Sequence, residues 1–306
     1  MTQTILVTGA AGFLGRQLVP FLRRDGRVLA GMRTTTAMDT DSVALEDLTD
    51  TPDLEAALSG VNCVVHCAAR AHILHETVDD PLPLFMRANR DATLHLARQA
   101  VGAGVKRFVF ISSIGVNGNQ TDGTPFRETD PPAPHSPYAV SKLAAEEGLA
   151  QIAAETGLEV VVIRPPLIIG PEPVGNLQSL SRMISRGIPL PFGLATKNRR
   201  SLVSVGTLCD LIRHCTIHPS APGRPILVAE EQPMSTREIL ERLAAATGQR
   251  ARFVPVPVFL LRAALRLMGK RAMDQQLFGD LEVDITATKS RLNWAPPRDE
   301  FFRDKD

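Results

Sequence analysis

The first half of the chain alternates short apolar runs with longer mixed stretches. Ile5-Leu6-Val7, Val28-Leu29-Ala30, Cys63-Val64-Val65, Phe108–Ile111 and Val160–Ile163 are apolar at successive positions, the pattern of strands covered on both faces. The pattern predicts strands over 3–8, 27–32, 43–47, 61–67, 106–112 and 158–164, and helices over 13–25, 52–59, 82–103 and 138–156. Strict alternation of the two implies an α/β fold, a doubly wound parallel sheet with helices on both faces. After Arg164 the texture changes, with Pro165, Pro166, Pro171, Pro173, Pro189 and Pro191 punctuating shorter elements. Two domains are expected: 1–165, and a smaller mixed α/β lobe over 166–306, with the chain free to cross between them. The apolar stretch Val256–Met268 carries Arg262 and Arg266 at helical spacing and falls short of the roughly 20 residues of a membrane span, so it reads as a core-facing helix, with interfacial membrane attachment as the alternative.

Composition narrows the function. A chain of 306 residues buries a large core, and a net charge of +1 gives no reason to expect a nucleic-acid partner. Met1-Thr-Gln-Thr leads straight into the first predicted strand, so no secretory leader is expected. Cys63 and Cys67 fall in one predicted strand, about 13 Å apart and unable to pair. A reduced, cytoplasmic protein is the simplest expectation.

Two motifs carry chemistry. Thr8-Gly-Ala-Ala-Gly-Phe-Leu-Gly15 follows the first strand and opens the first helix. Glycines at 9, 12 and 15 allow a tight turn and close approach of backbone to a pyrophosphate resting on the helix N-terminus, so dinucleotide binding is expected. The second motif is Tyr138, the single tyrosine of the chain, with Lys142 one helical turn later. A phenol is a poor base at neutrality, and a neighbouring ammonium favours its ionised form.

Together with the strand VVHCAAR (64–70) and FVFISS (108–113), these motifs resemble the extended short-chain dehydrogenases/reductases of the NAD-dependent epimerase/dehydratase family. HCAARAHILHE, SSIGVNG, RPPLIIGP and NRRSLVSV are similar, more narrowly, to bacterial UDP-sugar 4-epimerases and 4-ketoreductases of surface-polysaccharide synthesis. The resemblance implies a Rossmann domain for the cofactor, a C-terminal lobe for a UDP-sugar, and a homodimer through helices 82–103 and 138–156. It implies that Ser113 hydrogen-bonds the reacting sugar oxygen, that Tyr138 moves its proton, that Lys142 tunes Tyr138 and holds the nicotinamide ribose, and that Asn89 supports the lysine. Ser113 is followed by Ile114 and Gly115, which exchange no protons, so dehydration is not expected.

The cofactor residues follow the same pattern. Gly9, Gly12, Phe13, Leu14 and Gly15 would form the pyrophosphate loop. Asp47 and Leu48, ending strand three, would meet the adenine, and Ala68, Ala69, Ser112 and Pro165 would line the dinucleotide. At the end of strand two Met32 stands where an acid commonly holds the ribose diol, and Arg33 follows with Thr34, Thr35 and Thr36. A guanidinium suits a 2′-phosphate, which favours NADP over NAD.

On the substrate side, Asn176 and Arg200 are implied near the diphosphate, and Leu190 and Phe192 beside the uracil. A second phosphate arginine is missing near Leu277, where Arg271, Arg199 or Lys197 could substitute. His72-x-x-His75-Glu76 has too few ligands for a metal site and fits a sugar contact better. Trp294 is expected to pack against the body and pin the C-terminus. The leading expectation is reduction of a UDP-4-keto-2-acetamido-2,6-dideoxy sugar. The alternatives are 4-epimerisation of UDP-glucose or UDP-N-acetylglucosamine, or a non-catalytic NADP sensor.

Overall fold

The computed structural model describes residues 3–34, 41–71, 79–246 and 248–297. The motif His72–Glu76 and the hydroxyls of Thr35 and Thr36 lie outside them. Among the described residues the strands are β1 (Thr4–Thr8), β2 (Arg27–Met32), β3 (Ser42–Ala44), β4 (Cys63–His66), β5 (Arg107–Ile111), β6 (Glu159–Arg164), β7 (Leu167–Ile169), β8 (Leu202–Ser204) and β9 (Ile226–Leu227). Seven of them form one sheet in the order β3-β2-β1-β4-β5-β6-β9, every neighbouring pair parallel. β7 and β8 make a separate parallel pair.

The helices are α1 (Gly15–Leu22), α2 (Glu55–Leu58), α3 (Leu82–Phe85), α4 (Ala92–Gly102), α5 (Pro137–Thr156), α6 (Gly175–Ser185), α7 (Val205–Ile217), α8 (Thr236–Ala246), α9 (Val258–Leu267), α10 (Arg271–Phe278) and α11 (Thr286–Leu292). Successive strand residues point to opposite faces. Ile5, Val7, Val28, Val65, Val109 and Ile163 pack under α1 and α7, while Leu6, Leu29, Val64, Phe108, Phe110 and Val160 pack under α4 and α5. This is why the strands read as unbroken apolar runs. A third core, built around Ile169, Leu177, Leu190, Phe192, Leu240 and Phe278, lies among the later elements.

The chain beyond residue 165 returns to the main sheet. β9 adds to β6, and α7 lies on the same face as α1. Arg107 donates to the carbonyls of Cys215 (2.9 Å) and His218 (3.1 Å) at the end of α7. Trp294 is buried in the same core, its indole N–H donating to Asp210 at 2.8 Å, so it pins the C-terminal segment as expected.

Three elements differ from expectation. β3 stops at Ala44, because Glu46 takes a left-handed φ of 55° and Asp47 turns to cap a 3₁₀ turn, Leu48–Asp50. Asp47 and Leu48 therefore follow the strand instead of ending it. The helix expected over 82–103 is continuous but changes gauge, passing through a π-helical turn at Met86–Asp91 between α3 and α4. Finally, α9 has no buried residue: Val258, Leu261 and Leu265 lean on the third core, and the opposite face is open to solvent.

Candidate active site

In a parallel sheet of this order, ligands bind beyond the C-terminal strand ends where the winding reverses, here between β1 and β4. Gly9 follows β1 with φ 67°, and a Cβ there would lie 2.7 Å from the Ala68 nitrogen, beyond β4. A Cβ on Gly15 would sit 2.2 Å from the Gly9 carbonyl. Only glycine permits this loop, which delivers the chain directly into α1. α1 starts with no side-chain cap and no acid in its first turn, so no carboxylate there repels an anion, and the N–H groups of Arg16, Gln17 and Leu18 donate to the carbonyls of Gly12 and Leu14. These features fit a dinucleotide.

The other candidates gather at the same edge. Phe13 reaches Gly170 beyond β7, and Leu14 is buried at the start of α1. Ala68 donates its N–H to the Thr8 hydroxyl (3.3 Å), and Ala69 is exposed. Ile114 donates to the Pro165 carbonyl at 2.9 Å, which fixes the ends of β5 and β6 against each other. Arg33 is exposed and pairs with Asp47 at 3.6 Å. Asp47 also accepts from the N–H and hydroxyl of Thr49, and those two bonds, ahead of Arg33, hold its carboxyl below the usual range.

Ser113 follows β5, its hydroxyl accepting from the Gly115 N–H at 3.1 Å. Gly115 lies between that hydroxyl and Ala139 of α5, where a Cβ would meet them at 3.3 and 3.4 Å, so Ser113 and the start of α5 are adjacent. α5 starts where the sequence dictates. Ser136 caps the Ala139 N–H, Pro137 holds the first position, and Gly157 closes the helix at φ 76°.

Tyr138 is half-buried, edge-on to Phe85 with ring centroids 6.2 Å apart. Lys142 is buried at 2 % exposure; its ammonium donates to the Ile111 carbonyl at 2.8 Å and lies 5.9 Å from the Tyr138 ring centre. Burial pulls its pKa down to about 8, against the opposing pull of Cys67 and Glu146. Desolvation pushes the half-buried Tyr138 hydroxyl up to about 12, so the phenol holds its proton firmly.

The substrate-side candidates divide. Arg200 donates to the carbonyls of Gln275 (3.3 Å) and Gly279 (3.0 Å) at the end of α10, and desolvation lowers its pKa despite the nearby Asp280. Arg271 lines a cavity of about 370 Å³ together with Gln120, Arg262, Arg266, Asp274 and Gln275, whereas Arg199 is engaged by Glu282 at 2.9 Å. Asn176 is exposed on α6 and donates to Gln276 at 3.0 Å. Leu190 is fully buried, and Phe192 packs against Phe278 with centroids 6.1 Å apart, so both belong to the third core here.

A model of the NAD dependent epimerase/dehydratase family matches residues 5–228. The chain belongs to that family. It is 42% identical to a UDP-glucose 4-epimerase of Vibrio cholerae over 303 residues, 97% of this chain and 92% of the relative. Among solved structures, MoeE5 in complex with UDP-glucuronic acid and NAD superposes with a TM-score of 0.75 at 26% identity, covering 97% of this chain and 95% of that one. A UDP-glucose 4-epimerase of Thermotoga maritima with UDP-glucose has the same fold, with a TM-score of 0.76 at 23% identity over 98% and 95% of the two chains.

Within this epimerase/dehydratase fold, two buried polar networks support the site; sequence reasoning named Asn89 and Ser112 but not their partners Ser141 and Glu146. The first runs from the glycine loop to α5. Asn89, fully buried in the π-helical turn, donates to the Ser141 hydroxyl (3.0 Å), which donates to the Tyr138 carbonyl (2.7 Å). The Asn89 side chain also accepts from the Arg70 N–H (2.8 Å), while its own carbonyl accepts from the Thr93 hydroxyl (2.7 Å). Because that hydroxyl donates to Asn89, it must accept from His66 Nε2 (2.9 Å), which leaves His66 Nδ1 to accept from the Thr8 hydroxyl (2.7 Å). One neutral tautomer satisfies every bond. Burial, with help from the Lys142 charge, pushes His66 down to about 3, so the ring stays neutral at working pH.

The second network fixes the floor of the site. Glu146, one turn beyond Lys142, receives Arg164 through both oxygens (2.6 Å at the closest) and accepts from the Ser112 hydroxyl. Arg164 also donates to Asn117 (2.9 Å), whose side chain donates to the Arg127 carbonyl (3.1 Å). Both charges are buried, so the network ties α5 to the ends of β5 and β6 in low dielectric.

Proposed function

We propose that the protein interconverts UDP-hexoses at sugar C4, as a UDP-glucose or UDP-N-acetylglucosamine 4-epimerase. The observation that carries this is the meeting of Ser113, Tyr138 and Lys142 with the glycine loop at one sheet edge, in a chain 42% identical over nearly its whole length to a UDP-glucose 4-epimerase. In this reading Gly9, Gly12, Phe13, Leu14 and Gly15 hold the pyrophosphate of NAD. Asp47 and Leu48 face its adenosine end, and Ala68, Ala69, Ser112 and Pro165 flank it. NAD is preferred to NADP because Arg33 is engaged by Asp47, and a carboxylate beside it opposes a 2′-phosphate. When bound, the dinucleotide supplies the hydride acceptor and donor.

The chain's own residues do the rest. Ser113 donates to the C4 oxygen and holds it beside Tyr138. Tyr138 takes the C4 hydroxyl proton and later returns it. Lys142, fixed by the Ile111 carbonyl, places a positive charge beside the phenol, and Asn89 positions the helix that carries both. Arg200 meets the diphosphate, with Asn176 near it, and the loop carrying Leu190 and Phe192 shapes the base pocket. A homodimer through α3–α4 and α5 accompanies this reading.

The test is incubation of purified protein with UDP-glucose and with UDP-N-acetylglucosamine, following formation of the 4-epimer without added reductant. Catalytic interconversion, lost about 10³-fold in Tyr138→Phe with NAD binding retained, is the expected result. A second reading is reduction of a UDP-4-keto sugar, in which Tyr138 would give its proton to the C4 oxygen as hydride arrives from NADPH. No epimerisation, together with stoichiometric NADPH oxidation by a UDP-4-keto-6-deoxy sugar, would establish that reading instead.

A further inference from the structure

α9 has two apolar faces. One, Val258, Leu261 and Leu265, leans on the third core. The other carries Phe259, Leu260, Ala263, Ala264, Leu267 and Met268, and all six are exposed. Phe259 is 69 % and Leu267 89 % exposed, and no polar residue interrupts this stripe. A surface helix ordinarily turns charged residues outward, and a continuous exposed apolar stripe marks a docking face.

Charge identifies the partner. Residues 250–274 contain Arg250, Arg252, Arg262, Arg266, Lys270 and Arg271 against a single acid, Asp274. That acid is buried and spent on Arg262 (2.9 Å) and Arg266 (2.8 Å), which line the edge of the stripe, and Lys270 and Arg271 stand exposed just beyond its tip. This segment is basic in a chain whose net charge is only +1. A second copy would set the same cations against each other, which disfavours a self-complementary contact. Apolar side chains beside a row of Lys and Arg match the boundary between acyl chains and anionic headgroups, where the stems bury and the charges stay at the headgroups. Among the described residues no helix is long and apolar enough to cross a membrane, so the contact is one of lying on the surface.

We propose that α9 and the Lys270-Arg271 corner dock this protein on an anionic lipid bilayer, with Phe259, Leu260, Leu267 and Met268 inserted at the headgroup level. The proposal is independent of which C4 reaction the site performs.

Flotation of the full chain with phosphatidylcholine vesicles, and with vesicles containing about 30 % phosphatidylglycerol, tests it. The protein is expected to float with the anionic vesicles only, and less so in high salt. Leu267→Glu/Met268→Glu should weaken binding at least tenfold. Lys270→Glu/Arg271→Glu should do the same, since each basic residue at an anionic surface contributes about a fivefold gain. Thermal melting of both variants should match the parent, because the altered side chains are exposed. The proposal is overturned if the parent stays unbound to anionic vesicles, which would leave the face to a protein partner. It is equally overturned if both variants float as well as the parent, or if they change the sedimentation of the lipid-free protein, which would make α9 a contact between copies.

Discussion

At the scale of single residues, the site is defined by two displaced titrations. Tyr138 is pushed up and Lys142 pulled down, each by loss of water, so the site holds a phenol that keeps its proton and an amine close to losing one. The lysine shift has a thermodynamic signature. Its folded pKa, about 8, lies below the ordinary value of 10.5, so between those values the unfolded chain binds the extra proton and stability rises with pH. The penalty of burying the charge is fully present below about pH 8 and relieved above it. The difference in unfolding free energy between the protein and Lys142→Met should therefore shift by roughly 2–3 kcal/mol between pH 7 and 10, measured by urea denaturation. A flat difference would mean that Lys142 is better solvated than its surroundings imply.

At the scale of elements, what the sequence discloses depends on whether the signal is local. The strands are legible because both faces of each are apolar, and α5 because Ser136, Pro137 and Gly157 punctuate it. Arg33 is legible as a strand-end cation, but its pairing with Asp47 is not, since Glu46 bends the chain at a position with no turn signature. Asn89 reads as a polar residue in a helix; only the π-helical turn, which has no sequence mark, carries it inward. Glu146 and Arg164 look like a helix-surface acid and a strand-end cation, and are buried because the ends of β5 and β6 close over α5. For α9 the sequence offers a core-facing helix first and an interfacial one second, because apolar periodicity does not say which of two apolar stripes is covered; in the fold none of its residues is buried.

Two predictions belong to these elements. His66 is neutral when folded, with its pKa pushed to about 3 against an ordinary 6.5, so stability is lost as pH falls through 6.5 toward 3. His66→Gln should flatten that acid limb by about 3 kcal/mol at pH 4, read from unfolding curves. In the second network, Glu146→Gln removes one member of a buried ion pair and should cost about 3–5 kcal/mol, whereas the apolar double variant Glu146→Leu/Arg164→Met should cost much less. If the double variant is as unstable as the single one, the hydrogen bonds to Ser112 and Asn117 matter more than the paired charges.

At the scale of the whole molecule, the ligand-facing edge of the sheet is assembled early in the chain, but the sheet is completed late. β6 finds its outer neighbour only at Ile226, the face under α1 is covered by α7, and Trp294 packs into that face near the end of the described chain. A fragment ending at residue 165 is therefore expected to show no cooperative thermal transition by calorimetry, while a fragment ending at 297 should keep one.

That returning strand bears on how the protein is made. Residues emerge from the ribosome in order, so for most of synthesis β6 is an open strand edge and the part of the sheet face that α7 covers is bare apolar surface, the state most exposed to aggregation. The nucleotide-binding half cannot settle as a finished unit while the rest is translated. It waits for Ile226, and then for Trp294, and a chain that stops short of them yields an object for chaperones and proteases, not half an enzyme.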